Sequence, residues 1–265
     1  MFRDHDHWVD AENDAECAET TVEESGTCRA ADAGMGSLLR DRTEAGKRLA
    51  RELMRYASRG DVLVLALPRG GVPVGFEVAR ALGVPLDVFV VRKLGLPFHE
   101  ELAMGAIASG GAQLLNEDVI QTYAISDDEI DRVIESEMRE LERRERLYRG
   151  NRPFPALKDR IVILVDDGLA TGSTMRAAIM ALREESPARI VVAVPVAAKD
   201  TCEEFHGVAD EVVCLETPEP FDAVGVWYQN FAQTTDREVH DLLTRCRVAS
   251  RDMHPSRRSV APIRH

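Results

Sequence analysis

The run Ile161-Val162-Ile163-Leu164-Val165-Asp166-Asp167-Gly168-Leu169-Ala170-Thr171-Gly172-Ser173-Thr174 decides how this chain folds. Its first five residues are aliphatic and mostly β-branched, the composition of a strand covered on both faces within a parallel sheet. Two adjacent carboxylates stand where that strand stops. Small and hydroxyl-bearing residues then open a helix expected over 173–185. A Gly/Thr/Ser turn at a helix N-terminus attracts anions, because unpaired backbone N–H groups and the helix dipole both point at the ligand. Acids placed just before such a turn would repel a bare phosphate. They suit a molecule with phosphate at one end and hydroxyls or a metal at the other, such as a phosphorylated sugar. The glycine spacing excludes two common nucleotide loops. No lysine follows Gly172, as a Walker A loop requires, and Gly168 and Gly172 are wrongly spaced for a dinucleotide fingerprint. A receiver-type acidic pocket fits poorly as well. It needs a lone phosphoacceptor Asp at another strand tip, and neither Leu67 nor Val91 is followed by one.

Val162 to Thr174 resembles the 5-phosphoribosyl-1-diphosphate (PRPP) signature of the type I phosphoribosyltransferases over thirteen contiguous positions. The shared pattern is a hydrophobic strand, Asp-Asp, two spacers and small-Thr-Gly-x-Thr. The resemblance spans roughly residues 40–245 and implies an α/β fold: a doubly wound parallel sheet with a small hood lobe. It implies that backbone N–H groups and hydroxyls of Ala170, Thr171, Gly172, Ser173 and Thr174 hold the 5-phosphate. Asp166 and Asp167 would accept hydrogen bonds from the ribose hydroxyls. Mg²⁺ would join pyrophosphate to ribose oxygens, meeting the two acids only through water if at all, since this ion keeps several of its waters.

Upstream of the signature, Asp61 to Leu67 reads as a second buried strand, ending in Pro68-Arg69-Gly70-Gly71 before a helix to about Leu82. Paired glycines let backbone approach a ligand closely while a guanidinium forks onto phosphate oxygens. The resemblance assigns pyrophosphate to Arg69, Gly70 and Gly71. Leu86 to Val91 is a third strand, with Arg92 and Lys93 at its tip, where α/β sheets bind ligands. Lys93 is thereby implied as a pyrophosphate or catalytic contact. The Gly- and Ala-rich segment 95–111, carrying His99, Glu100 and Glu101, resembles a mobile loop that closes over the ligand, with strand-like pieces near 103–108 and 112–115. An amphipathic helix covers about 43–58, and a long charged one runs from Ser126, capped with Glu129, to about Tyr148. One arginine of the basic loop 149–153 could reach the ligand. Further strands are expected at 189–196 and 211–215, with a helix between them and a closing helix over 236–246. Phe221, Trp227, Tyr228 and Phe231 either stack on a planar acceptor or pack a small lobe. Trp227 and Tyr228 are the acceptor-pocket candidates.

Three divisions follow: an acidic arm over 1–36, the main domain over 37–248 with a helical insert at 117–150 and hood elements at 217–235, and a basic tail over 249–265. A net charge of −13 argues against nonspecific nucleic-acid binding. No apolar run is long enough to span a bilayer and no leader pattern opens the chain, so a cytoplasmic protein is expected. Five scattered cysteines without a CxxC pair point to reduced thiols. His5 and His7 belong to a polar tail.

The resemblance implies transfer of the phosphoribosyl group of PRPP to a nitrogen acceptor, a base or an amine of nucleotide metabolism, with release of pyrophosphate. A homodimer is compatible with it. The competing reading is a PRPP- or nucleotide-sensing regulator that keeps the fold without turnover. The insert at 117–150 departs from compact salvage enzymes and leaves the acceptor open.

Overall fold

The computed structural model describes residues 38–253; the acidic arm, His5 and His7 lie outside them, as does the tail beyond Met253. Two strands dictate the centre. β1 (Val62–Ala66) and β6 (Ile161–Val165) are buried at every position and pair in parallel, Val62 beside Ile161 through Ala66 beside Val165. β2 (Leu86–Val88) flanks β1, while β7 (Arg189–Val196) and β8 (Glu211–Glu216) extend the sheet on the other side, giving the order β2-β1-β6-β7-β8. Alternation within each strand serves two cores. Val62, Val64, Ala66, Ile161 and Ile163 face one apolar cluster, while Leu63, Leu65, Val162 and Leu164 face the other. A strand apolar on both faces needs cover on both sides, which is the doubly wound arrangement.

The first cluster takes in α1 (Arg42–Glu52), α2 (Gly71–Leu82), α4 (Asp127–Arg149) and α7 (Asp236–Met253); the second takes in α5 (Ser173–Glu184) and α6 (Lys199–Phe205). Ser126 and Glu129 form the expected capping box at the start of α4, and a short α3 (Glu117–Thr122) precedes it.

Three expectations change. The strand expected over 86–91 stops at Val88, and Val91 opens a separate antiparallel sheet of β3 (Val91–Leu96), β4 (His99–Ala108) and β5 (Gln113–Leu115). Arg92 and Lys93 therefore sit within β3 rather than at a strand tip, and much of the supposed closing loop is a paired hairpin with a register shift at Gly95. Its Gly, Ala and Glu content has low strand propensity, and cross-strand pairing overrides it. α7 runs past the expected end at Cys246, taking residues 249–253 out of the tail. Cys202 of α6 and Cys214 of β8 form a disulfide, against the expectation of reduced thiols. The β7–α6–β8 crossover brings them together, which spacing alone does not reveal.

Candidate active site

Asp166 and Asp167 leave the carboxyl end of β6 and are pressed from behind by the turn after β1. A Cβ on Gly70 would lie 1.9 Å from Asp167 Oδ2, and one on Gly71 would lie 2.7 Å from the Val165 carbonyl oxygen. The two glycines are therefore a steric requirement of the acidic pair. The Pro68–Arg69 peptide between strand and glycines is cis. The Asp167 amide donates to Asp166 Oδ1 at 2.8 Å. Burial, followed by the neighbouring Asp167 charge, pushes the Asp166 carboxyl well above the ordinary carboxylate range.

A residue that sequence reasoning passed over completes this corner. Arg42, at the start of α1, donates from Nε to Asp167 Oδ2 at 2.8 Å, with Nη2 in ion-pair contact with the same oxygen at 2.7 Å, while Nη1 donates to the Ala232 carbonyl at 2.8 Å. Its guanidinium lies 3.8 Å from the centre of the Phe231 ring. Tyr228 donates its hydroxyl to the Asp167 carbonyl at 2.6 Å. The segment after β8 is thereby tied back over the acids.

The turn at 170–174 lies beside the acids. Gly172 adopts the left-handed conformation, φ +67°, and starts α5 without a side-chain cap, so the first amides of that helix remain available to an anion. Thr201 donates to the Ala170 carbonyl at 2.6 Å, and a Cβ at Gly172 would meet the Phe205 ring at 2.5 Å. Lys93 Nζ donates to Ser173 Oγ at 2.7 Å, and the Thr171 and Ser173 hydroxyls approach to 3.4 Å. Lys93, expected near pyrophosphate, is thus joined to the phosphate turn. Arg69 is held only loosely, with Nη1 4.0 Å from Asp236 Oδ1 and a side chain 37% exposed.

A cavity of about 460 Å³ is lined by Arg42, Arg69, Gly70, Asp167, Phe231 and Thr234, among others. The expected acceptor residues do not line it. Trp227 stacks on Phe221 at 6.4 Å, and Tyr228 is buried beneath the hood. Phe231 and Val224 supply the apolar wall instead. Arg149 does not reach the site either; it is buried with Asp87, Glu145 and the Val88 carbonyl. His99 opens β4, with Glu100 and Glu101 next in that strand. Among the described residues no group of three or more His, Cys, Asp or Glu side chains gathers around a metal site, and no helix is long and apolar enough to cross a membrane. A magnesium ion would fit only as an ion held chiefly by ligand oxygens and water, with Asp166 and Asp167 in its outer shell.

Residues 37–229 match the family model described as "Phosphoribosyl transferase domain". The chain is 48% identical over 208 residues to Mycobacterium tuberculosis proteins, in two strains, provisionally named as phosphoribosyl transferases; the match covers 78% of this chain and 47% of theirs. It therefore spans about half the length of the curated relatives it matches. The crystal structure of TT1426 from Thermus thermophilus superposes with a TM-score of 0.70 at 42% identity, covering 78% of this chain and 98% of that one. With the signature turn, the acidic pair and the sheet order in place, the chain belongs to the phosphoribosyl transferase family.

Proposed function

We propose that this chain transfers the 5-phosphoribosyl group of PRPP to a nitrogen acceptor and releases pyrophosphate. The observation that carries this reading is the meeting of three parts around one carboxylate. Asp167 touches Gly70 of the pyrophosphate turn, follows directly from β6, and stands a few residues before the anion turn at 170–174. In this reading the first amides of α5, the Ser173 hydroxyl and Lys93 hold the 5-phosphate. Arg69 and the amides of Gly70 and Gly71 receive pyrophosphate, and Asp167 accepts a hydrogen bond from a ribose hydroxyl. Cleavage at C1 develops positive charge on the ribose ring, as in glycoside chemistry, and the Asp167 carboxylate stabilises it. Magnesium, when bound, offsets the charge of the leaving pyrophosphate. The cavity under Phe231 and Val224 accepts the nucleophile, and its volume of about 460 Å³ falls within the range for small-molecule sites.

Titration calorimetry with PRPP and Mg²⁺, followed by a pyrophosphate-release assay across bases and amines, tests the proposal. Asp167→Asn should weaken PRPP binding by about tenfold or more, the loss of one charge-assisted hydrogen bond. Unchanged affinity would remove Asp167 from the ribose site. Tight PRPP binding with no release for any acceptor would favour a sensor over an enzyme.

A further inference from the structure

We infer that Arg42 is the positioning residue of the ribose subsite and couples it to the hood that covers the acceptor cavity. The inference rests on the phosphoribosyl reading above and assigns a role to a residue outside the signature and both phosphate turns. Its guanidinium forks around one oxygen, Asp167 Oδ2, with a hydrogen bond from Nε and an ion-pair contact from Nη2. Arg42 engages Asp167 through Oδ2 alone, so it fixes the orientation of the carboxylate by one oxygen. The pair is shielded, with side-chain exposures of 11% for Arg42 and 15% for Asp167. There, a carboxylate deprived of its partner turns toward water or takes up a proton rather than keep its aim.

The remaining contacts of Arg42 point to the hood. Nη1 holds the Ala232 carbonyl, and the guanidinium plane faces the Phe231 ring. Phe231 and Thr234 flank that carbonyl in sequence and line the same cavity as Arg42 and Asp167. One side chain therefore sets both the aim of the ribose acid and the height of the acceptor's cover. A pair that merely pinned α1 to the sheet would have no need to open onto this cavity. Lysine could keep the charge at this position but not the fork, because a single ammonium cannot serve Asp167, Ala232 and the ring face together.

The test uses the full chain as wild type, Arg42→Lys and Arg42→Met, titrated separately with ribose 5-phosphate, pyrophosphate and PRPP in the presence of Mg²⁺. Arg42→Met should weaken ribose 5-phosphate and PRPP by about tenfold or more, the scale of losing a charge-assisted fork, while pyrophosphate stays within about twofold. Arg42→Lys should recover part of the loss. Equal weakening of ribose 5-phosphate and pyrophosphate, or no weakening of either, would overturn the assignment, since a structural role moves both together. If Arg42→Met does not fold, Arg42→Lys decides: affinity for ribose 5-phosphate equal to wild type would overturn the role. Wild-type protein that binds neither PRPP nor ribose 5-phosphate brings down the phosphoribosyl reading and this inference together. Variants that bind PRPP as wild type does bring down the role of Arg42 alone.

Discussion

Gly70→Ala is a sharp probe of the site because local propensity and tertiary contact point in opposite directions. Gly70 has helical dihedrals, φ −61° and ψ −34°, at the start of α2. On that ground alone alanine would stabilise by about 0.5–1 kcal/mol. The added Cβ, however, would lie 1.9 Å from Asp167 Oδ2 and 2.6 Å from its Cγ. No rotamer of alanine relieves that overlap, so either the carboxylate or the turn must move. Forcing a methyl group into a packed position costs about 1–3 kcal/mol. Prising Asp167 from Arg42 adds a further cost, about 1–3 kcal/mol for a charge-assisted pair that retains slight exposure. The expected net is a loss of about 1–5 kcal/mol after the propensity gain is subtracted. Urea denaturation measures it, with Gly60→Ala as the control, since a Cβ at Gly60 meets nothing within 4 Å. PRPP binding should fall in Gly70→Ala and hold in Gly60→Ala. Wild-type stability together with wild-type PRPP affinity in Gly70→Ala would refute the claim that the glycine exists to admit the carboxylate.

Asp166 predicts a dependence on pH. Its carboxyl is raised above the usual value of 3.8 by burial and by the Asp167 charge. A raised acid contributes its stability in full below the unfolded value and loses it as pH climbs toward the folded one. Asp166→Asn cannot ionise, so its melting temperature should decline less than wild type's above about pH 4 and exceed it at neutral pH; parallel melting curves across that range would count against a raised carboxyl. Arg149→Met strands Asp87, which is 7% exposed, and removes three hydrogen bonds around a side chain only 3% exposed. It should cost about 3–5 kcal/mol in denaturation while leaving PRPP affinity unchanged in the folded fraction. A loss below about 1 kcal/mol would mean that water already screens the pair.

The central sheet was legible because its strands break no local rule: 161–165 and 62–66 are apolar on both faces and stop at chemistry-bearing residues. The positions of the turns at 68–71 and 166–174 were legible too, since glycine beside a charged residue ends an apolar run. The antiparallel sheet was only partly legible: the strand-like pieces near 103–108 and 112–115 fall on β4 and β5, but β3 and the first half of β4 lie in what was read as a strand tip and a closing loop. Gly95, Gly105 and the alanines between 103 and 108 have no strand preference of their own, and only the mutual pairing of β3 and β4 makes them β. A Cβ at Gly105 would lie 2.3 Å from the Leu114 carbonyl, so the residue that weakens the local signal is the one close pairing demands. Arg42 was invisible for a different reason. It lies 125 positions from Asp167, inside an ordinary amphipathic helix, and a one-dimensional pattern does not distinguish it from the solvent-facing arginines around it. The ring that lines the cavity was equally hidden. Trp227 and Phe231 are equally apolar in sequence, and only the path of the strap decides which ring meets the cavity.

The turn at 170–174 has a firm foundation. Leu169 is hydrogen-bonded to Val196 and Ala198 on either side, Thr201 grips Ala170, Phe205 fills the space under Gly172, and α6 is itself stapled to β8. A guest arriving at such a berth surrenders its own freedom but asks the host to reorganise very little. The hood is anchored as well: Leu39 bridges Tyr228, the segment 227–230 exchanges backbone hydrogen bonds with Leu39 and Arg40, its apolar side chains pack with Ala45 and Val196, and Tyr228 and Arg42 tie it to the berth's neighbour.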